Sequence, residues 1–444
     1  MRINQQIETR YQELGKTYKA LIITLAKWIL FGVFIGAIVG SLTTILLKVN
    51  DFLGDIRMEN DWLIYLLPLA GLLIGFIYMK YGKSNGSDCA KANNLVIEGV
   101  QEKTKILKRM GPIVYLCTFI TVLFGGSTGR EGAAIQMGGS VAESVNQKLK
   151  VDKMDKKLIL MSGISAGFGA AFGTPIAGTI FGMEMIALGK MKYQSLVLCL
   201  VSSFTSHYVS SEIWGLKHEE FIIKSTPELS MITFVKIILL SVIFGLLALL
   251  YCQLRHGIQR ITEKIFNNNH IKRAFVGGVI IIVLMLIVGS REYNGRSLEL
   301  LEQSFDEDVP VFSFMAKLVF TAVTMGTGFV GGEAIPLFTI GATFGNVVSD
   351  MVSLPMSFLA AVGLTAVFCG GSNTPIAAFI LGVEMFDGKG IEFLFVACII
   401  SYIVSGHHGL WPSQTIHDPK RRLYNLVEGE TIHNIESRRK KYHP

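Results

Sequence analysis

Gly125-Gly126-Ser127-Thr128-Gly129-Arg130-Glu131-Gly132-Ala133-Ala134-Ile135-Gln136-Met137-Gly138-Gly139 is a glycine-rich bend between two apolar helical patterns. The run from Pro112 to Phe124 leads into it, and a helix of small residues leaves it. Glycines permit positive φ and let successive backbone N–H groups converge on one point. The start of the next helix adds its unpaired N–H groups and the positive end of its dipole, so the place attracts an anion. The occupant available from the chain itself is the Glu131 carboxylate. A carboxylate seated there can be displaced by a travelling anion and, once displaced, can take up a proton. The plainer alternative is a helix-start glutamate stabilised by the dipole. Inside a membrane an ionisable side chain is costly and marks function.

That the bend lies in a membrane follows from composition. Half of the 444 residues are hydrophobic and only 17% are charged, against about 25% in soluble domains. Apolar stretches such as Leu21–Leu47, Trp62–Met79, Ser195–Val209, Met231–Cys252 and Ala274–Val288 approach or exceed spanning length. An all-α polytopic membrane protein is expected. Basic residues crowd the first twenty positions, the loops at 103–109 and 148–157, the segment from Arg255 to Arg273, and the tail. The positive-inside rule puts these, and both termini, in the cytoplasm. With no soluble basic domain, a nucleic-acid partner is not expected. The six cysteines mostly fall in apolar runs and read as buried small hydrophobes.

An internal repeat organises the chain. Thr174-Pro175-Ile176-Ala177-Gly178-Thr179-Ile180-Phe181-Gly182-Met183-Glu184-Met185 recurs from Thr374 to Met385 with eight of twelve positions identical. Average residue usage would give roughly one. Each copy follows a helix rich in small residues, and each helix follows a glycine bend, Gly129–Gly132 or Gly331–Glu333. The expected organisation is an amphipathic arm at 1–20, a first membrane repeat at 21–215, and an external linker at 216–230. A second repeat at 231–415 and a basic tail at 416–444 complete it, with no large soluble domain at the end. Short and broken apolar helices in two related halves point to a transporter whose site lies at the midplane, between half-helix ends.

The second bend reads Gly331-Gly332-Glu333-Ala334-Ile335-Pro336. Pro336 fits the first turn of a helix and leaves the N–H groups before it free to face an ion. Glu333 is a second intramembrane acid, with a dipole-stabilising role as the alternative. Asn93 stands where a short half-helix begins, and there a capping role competes. Glu184 and Glu384 occupy matching places, which argues for a shared structural task, bonding to the free N–H groups of a neighbouring helix end. Trp411 is either an interfacial aromatic or an indole donor facing the ion path. His407-His408 lacks further ligands at useful spacing, so no metal and no cofactor are expected. An intramembrane enzyme would need spaced metal-ligating histidines that are missing from the sequence.

Gly129-Arg130-Glu131-Gly132, the Gly332–Pro336 bend and the paired Thr-Pro segments together resemble the CLC family of anion channels and anion/proton antiporters, over about residues 20–415. The resemblance implies an inverted-topology repeat of short, tilted helices and a homodimer with one pathway per subunit. Glu131 would be the external gating glutamate. The details look more like the fluoride/proton antiporter branch. Asn93 stands where chloride-type members carry a coordinating serine, Met185 replaces their internal proton acceptor, and Glu333 matches that branch's second-bend glutamate. Two positions depart from that branch, Ile335 for a threonine and Trp411 for a tyrosine. The implied activity is fluoride export coupled to proton influx across the cell (plasma) membrane, with a chloride/proton antiporter or passive anion channel as the alternative. The anion would be held by the N–H groups of Gly132, Ala133, Glu333 and Ala334 with the Asn93 amide and Trp411, while Glu333 relays the proton.

Overall fold

The computed structural model describes residues 2–84, 87–420 and 429–434, with side chains from residue 18 onward. The amphipathic character of the N-terminal arm and most of the basic tail therefore lie outside the described residues. The arm's backbone is continuous with the first span in one helix, α1 (Arg2–Glu59). The first half continues with α2 (Leu67–Tyr81), α3 (Asn93–Val100), α4 (Met110–Leu123), α5 (Glu131–Leu149), α6 (Lys153–Phe172), α7 (Pro175–Glu184) and α8 (Leu196–Tyr208). After an extended linker come α9 (Met231–Ile265), α10 (His270–Val288), α11 (Leu298–Asp306), α12 (Ser313–Gly326), α13 (Ala334–Val352), α14 (Met356–Ser372), α15 (Pro375–Met385) and α16 (Ile391–Val404).

Among the described residues, five helices are long and apolar enough to cross a membrane, whereas α4, α12, α14, α15 and α16 are apolar but shorter. At 1.5 Å per residue a 14-residue helix covers only about 21 Å. Such helices end inside the hydrocarbon layer, where their free termini need partners. The outer helices α9 and α10 leave Ile232, Leu239, Leu286 and Ile287 exposed, an apolar face suited to lipid.

The breaks follow local backbone chemistry. α6 ends at Gly173 (φ +73°) and α14 at the equivalent Asn373 (φ +60°), the two residue types that best tolerate a left-handed cap. Thr-Pro follows each, and proline at the first helical position starts α7 and α15. Glycine pairs set the packing. A Cβ on Gly138 would lie 2.0 Å from the Gly163 carbonyl oxygen, and one on Gly341 would lie 2.1 Å from that of Gly363. Thus α5 crosses α6, and α13 crosses α14, with backbones in contact.

The two halves are antiparallel copies. Gly129 and Gly332 exchange both backbone hydrogen bonds at 2.7 Å, an isolated antiparallel bridge that joins the two bends. The Glu184 carboxylate accepts the N–H groups of Ile376 (3.2 Å) and Ala377 (2.8 Å). Glu384 reciprocates with Ile176 (2.9 Å) and Ala177 (2.7 Å). Each acid caps the other half's broken helix, which is the structural task their placement suggested. All six cysteines are buried.

Among the described residues, two small sheets complete the fold. β1 (Lys83–Ser84) pairs with β2 (Ser87–Asp88). β3 (Ala187–Leu188) runs parallel to β4 (Thr415–Ile416), which pairs antiparallel with β5 (Glu430–Thr431). Leu188, Ile416 and Ile432 form a small core beneath this sheet, tying the tail to the end of α7.

Candidate functional site

The two bends meet α3 and the segment after α16 around a cavity of about 30 Å³, room for one or two water-sized occupants. Asn93, Glu131, Gly132, Glu333, Ala334 and Trp411 all stand on its wall. They come from four separate parts of the chain. Gly129 and Gly332 form the bridge behind them, and neither position has space for a side chain. A Cβ on Gly332 would fall 2.8 Å from Gly132 N and 3.0 Å from Glu131 Oε2.

Glu131 is buried, and its Oε2 accepts the Arg130 N–H at 3.0 Å. Gly132 and Ala334 lie in the first turns of α5 and α13, where N–H groups have no intrahelical acceptor. The Glu131 carboxylate thus bonds to one N–H of the bend, that of Arg130. Asn93 does not cap α3. Its side chain stands on the cavity wall, and among the described residues its Oδ1 has no hydrogen-bond partner. Trp411 is buried, with its ring edge-on to Phe181 at 5.8 Å, and is not an interfacial anchor.

Other expected residues stand elsewhere. Ala133 is off the cavity wall and its N–H donates to the Arg130 carbonyl at 3.0 Å. It is therefore not a free anion donor, because the first turn tightens and engages it. Ile335 is buried but does not line the cavity, and Pro336 sits behind it in the first turn of α13. The Arg130 guanidinium turns away, bonding to the Leu47 carbonyl (2.9 Å), Glu219 (3.0 Å) and Asp51. Arg296 binds the same two acids. This network anchors the bend and does not line the cavity.

Several wall residues had not been singled out from the sequence. Phe168 and Phe368, at equivalent positions 200 apart (368 minus 168), face each other with centroids 6.4 Å apart. Phe168 stacks on Phe181 at 4.1 Å. These rings leave no polar partner on one side of the cavity. The repeat register, extended from Thr174/Thr374 back by six residues, would have found the pair. Tyr251 of α9 donates its hydroxyl to Glu333 Oε1 at 2.7 Å, and Arg255 Nε lies 3.3 Å from the same oxygen. The four-residue spacing of Tyr251 and Arg255 along an apolar span was the available signal.

Beside the first bend, Lys317 of α12 is fully buried. Its ammonium donates to Gly295 O (2.8 Å), Ser297 Oγ (2.9 Å) and Ser127 Oγ (3.0 Å). A buried charge requires such partners. It pins the Ser127–Gly129 approach to the segment before α11.

A second, open cavity of about 820 Å³ shares Ala92, Asn94, Arg255, Met325 and Gly331 with the small one. Lys83, Lys91, Lys103 and Arg273 face it, with Asp88, Glu98 and Glu263 among them. It is a polar vestibule that ends at the site. Among the described residues there is no cluster of three or more metal-ligating side chains.

The chain is similar to known proteins over most of its length. The profile of the voltage gated chloride channel family matches residues 70–406. The chain is 35% identical to a chloride/fluoride channel protein of Pseudomonas syringae pv. tomato, across 89% of this chain and 88% of that one. It is 22% identical to the H(+)/Cl(-) exchange transporter ClcA of Cronobacter sakazakii, across 85% and 82% of the two chains. The crystal structure of a CLC-type fluoride/proton antiporter superposes with a TM-score of 0.84 at 30% identity, covering 88% of this chain and 98% of that one.

Proposed function

Because the chain belongs to the voltage gated chloride channel (CLC) family, we propose that it is a secondary active transporter exchanging fluoride for protons. The observation that carries the reading is the buried Glu131 carboxylate on the wall of a cavity of about 30 Å³, between two helix starts. The likeness to a fluoride/proton antiporter supports the choice of ion.

Fluoride is the smallest halide and holds its water most tightly, so removing that water demands close donors. The N–H groups of Gly132 and Ala334 and the Asn93 amide supply them in this reading. The phenylalanine wall supplies none, which keeps a hydrated ion out. Glu131 competes with the anion for the outer seat. When an anion arrives, two negative charges share a desolvated space, and the carboxylate relieves this by taking up a proton. Glu131 and the anion then exchange places. Glu333, hydrogen-bonded to Tyr251 and next to the vestibule, relays the proton onward.

The basic vestibule lies on the side that charge distribution assigns to the cytoplasm. Proton influx there drives fluoride out across the plasma membrane, with both termini inside. A homodimer with an independent pathway in each subunit completes the proposal. The lipid bilayer is its solvent, and no cofactor takes part.

The test is purified protein in liposomes loaded with fluoride or chloride. Fluoride efflux should draw protons inward against their gradient, and chloride should move more slowly. Glu131→Gln should lose the proton movement. Efflux without proton movement in the parent protein would refute exchange, and equal rates for both halides would refute fluoride selectivity.

A further inference from the structure

Among the described residues, Arg255 is the single charged side chain on the walls of both the small cavity and the vestibule, and the only cation on the small cavity's wall. Half of its guanidinium is tethered. Nη1 donates to Gln259 Oε1 at 3.1 Å and to His256 Nδ1 at 2.8 Å. His256 Nε2 lies 2.9 Å from the Gly409 carbonyl, which assigns the ring proton to Nε2 and leaves Nδ1 as acceptor. Gln259 Nε2 donates in turn to Glu263 Oε1 at 2.9 Å, and Arg273 Nη1 pairs with that oxygen at 3.2 Å. Tyr251, Arg255, Gln259 and Glu263 recur every four residues, so one stripe of α9 runs from Glu333 into the vestibule.

The other half is differently placed. Arg255 Nε is 3.3 Å from Glu333 Oε1, within ion-pair range, yet among the described residues it has no hydrogen-bond acceptor. Glu333 Oε1 receives the Tyr251 hydroxyl instead. A buried N–H on a permanently charged group is thus held at the junction of the cavities with an acceptor missing.

We propose that Arg255 is the inner anion acceptor. A small monovalent anion coming up the vestibule supplies the acceptor that Nε lacks, and is passed from the guanidinium to the N–H groups of the two bends. While Arg255 holds the anion, Glu333 shares its counter-charge. Arg255 thereby joins anion arrival to the charge state of the neighbouring acid. The proposal rests on the anion-transport reading above and adds to it a residue that binds the anion on the vestibule side.

The experiment compares the parent protein with Arg255→Gln and Arg255→Lys. Fluoride and chloride binding is measured by calorimetry in detergent, and efflux from liposomes is measured against internal fluoride concentration. Arg255→Gln should weaken fluoride binding and raise the KM for internal fluoride by roughly 10-fold, the scale of one charge-assisted bond. The maximal rate should fall much less. Arg255→Lys keeps a charge without the fork and should raise KM by about 3-fold, recovering part of the loss. A purely structural residue would instead lower maximal rate and thermal midpoint and leave KM unchanged. An unchanged Kd and KM in whichever variant folds overturns the proposal. Parent protein that binds halide but moves no protons counts against the exchange reading alone, and the binding arm then decides the role of Arg255.

Discussion

Removing one of the reciprocal caps separates a structural carboxylate from a proton-carrying one. Glu184 is a buried acid in an apolar broken helix, so a transport role would be a natural reading. The geometry says otherwise, because both of its oxygens are occupied by the Ile376 and Ala377 N–H groups of α15. Glu184→Ala leaves the buried Ala377 N–H and the part-buried Ile376 N–H unsatisfied, at up to about 1–3 kcal/mol each. Loss of the charge at a helix start adds about 0.3–1 kcal/mol. The sum is roughly 2–7 kcal/mol. Glu184→Gln keeps one oxygen acceptor and should cost about half as much. Unfolding entropy of about 2.1 cal/mol/K per residue converts 1 kcal/mol into about 1 °C for a chain of 444 residues. The midpoint should fall by about 2–7 °C for alanine and about 1–3 °C for glutamine. Glu384→Ala should cost somewhat less, since Ile176, one of the groups it caps, is 48% exposed against 37% for the equivalent Ile376. The assay is thermal unfolding in detergent, paired with fluoride-driven proton movement in liposomes. The number of protons moved per fluoride should be unchanged in Glu184→Gln. A variant with the parent's midpoint and no proton movement would refute the capping argument.

Gly332→Ala should abolish fluoride flux while the protein still folds, because its Cβ would meet Gly132 N at 2.8 Å and Glu131 N at 2.9 Å. Efflux close to the parent's would contradict that crowding. Lys317→Met removes the ammonium that holds Ser127, Gly295 and Ser297 together and should lower the thermal midpoint by about 2–4 °C, at about 1 °C per kcal/mol. An unchanged midpoint would mean that those oxygens re-pair without loss. In the linker before α9, burial pushes the His218 imidazole down from 6.5 to about 4. The unfolded linker thus takes up a proton between pH 6.5 and 4 that the folded one refuses. Its contribution to stability is complete above pH 6.5 and falls as pH drops through that window. Hydrogen exchange of residues 214–230 should rise over this range, and His218→Asn should flatten the rise.

What could be read from the chain alone was whatever depends on neighbours in sequence. Glycine bends, proline at helix starts, left-handed caps and apolar length are local properties of φ, ψ and hydropathy. They located the membrane helices, the two bends and both acids. The repeat around Thr174 and Thr374 added symmetry, and symmetry pointed to a shared task for Glu184 and Glu384. Tertiary structure decided which of these residues share one space. Ala133 looked as good a donor as Gly132 until the turn engaged its N–H with Arg130. Arg255 read as one more basic residue after a span, and its approach to Glu333, with Tyr251 bonding across 82 residues of sequence, exists only once α9 packs on α13. Side chains that meet through packing leave no spacing in the sequence, because the distance between them is set by helices that cross rather than by the chain that joins them.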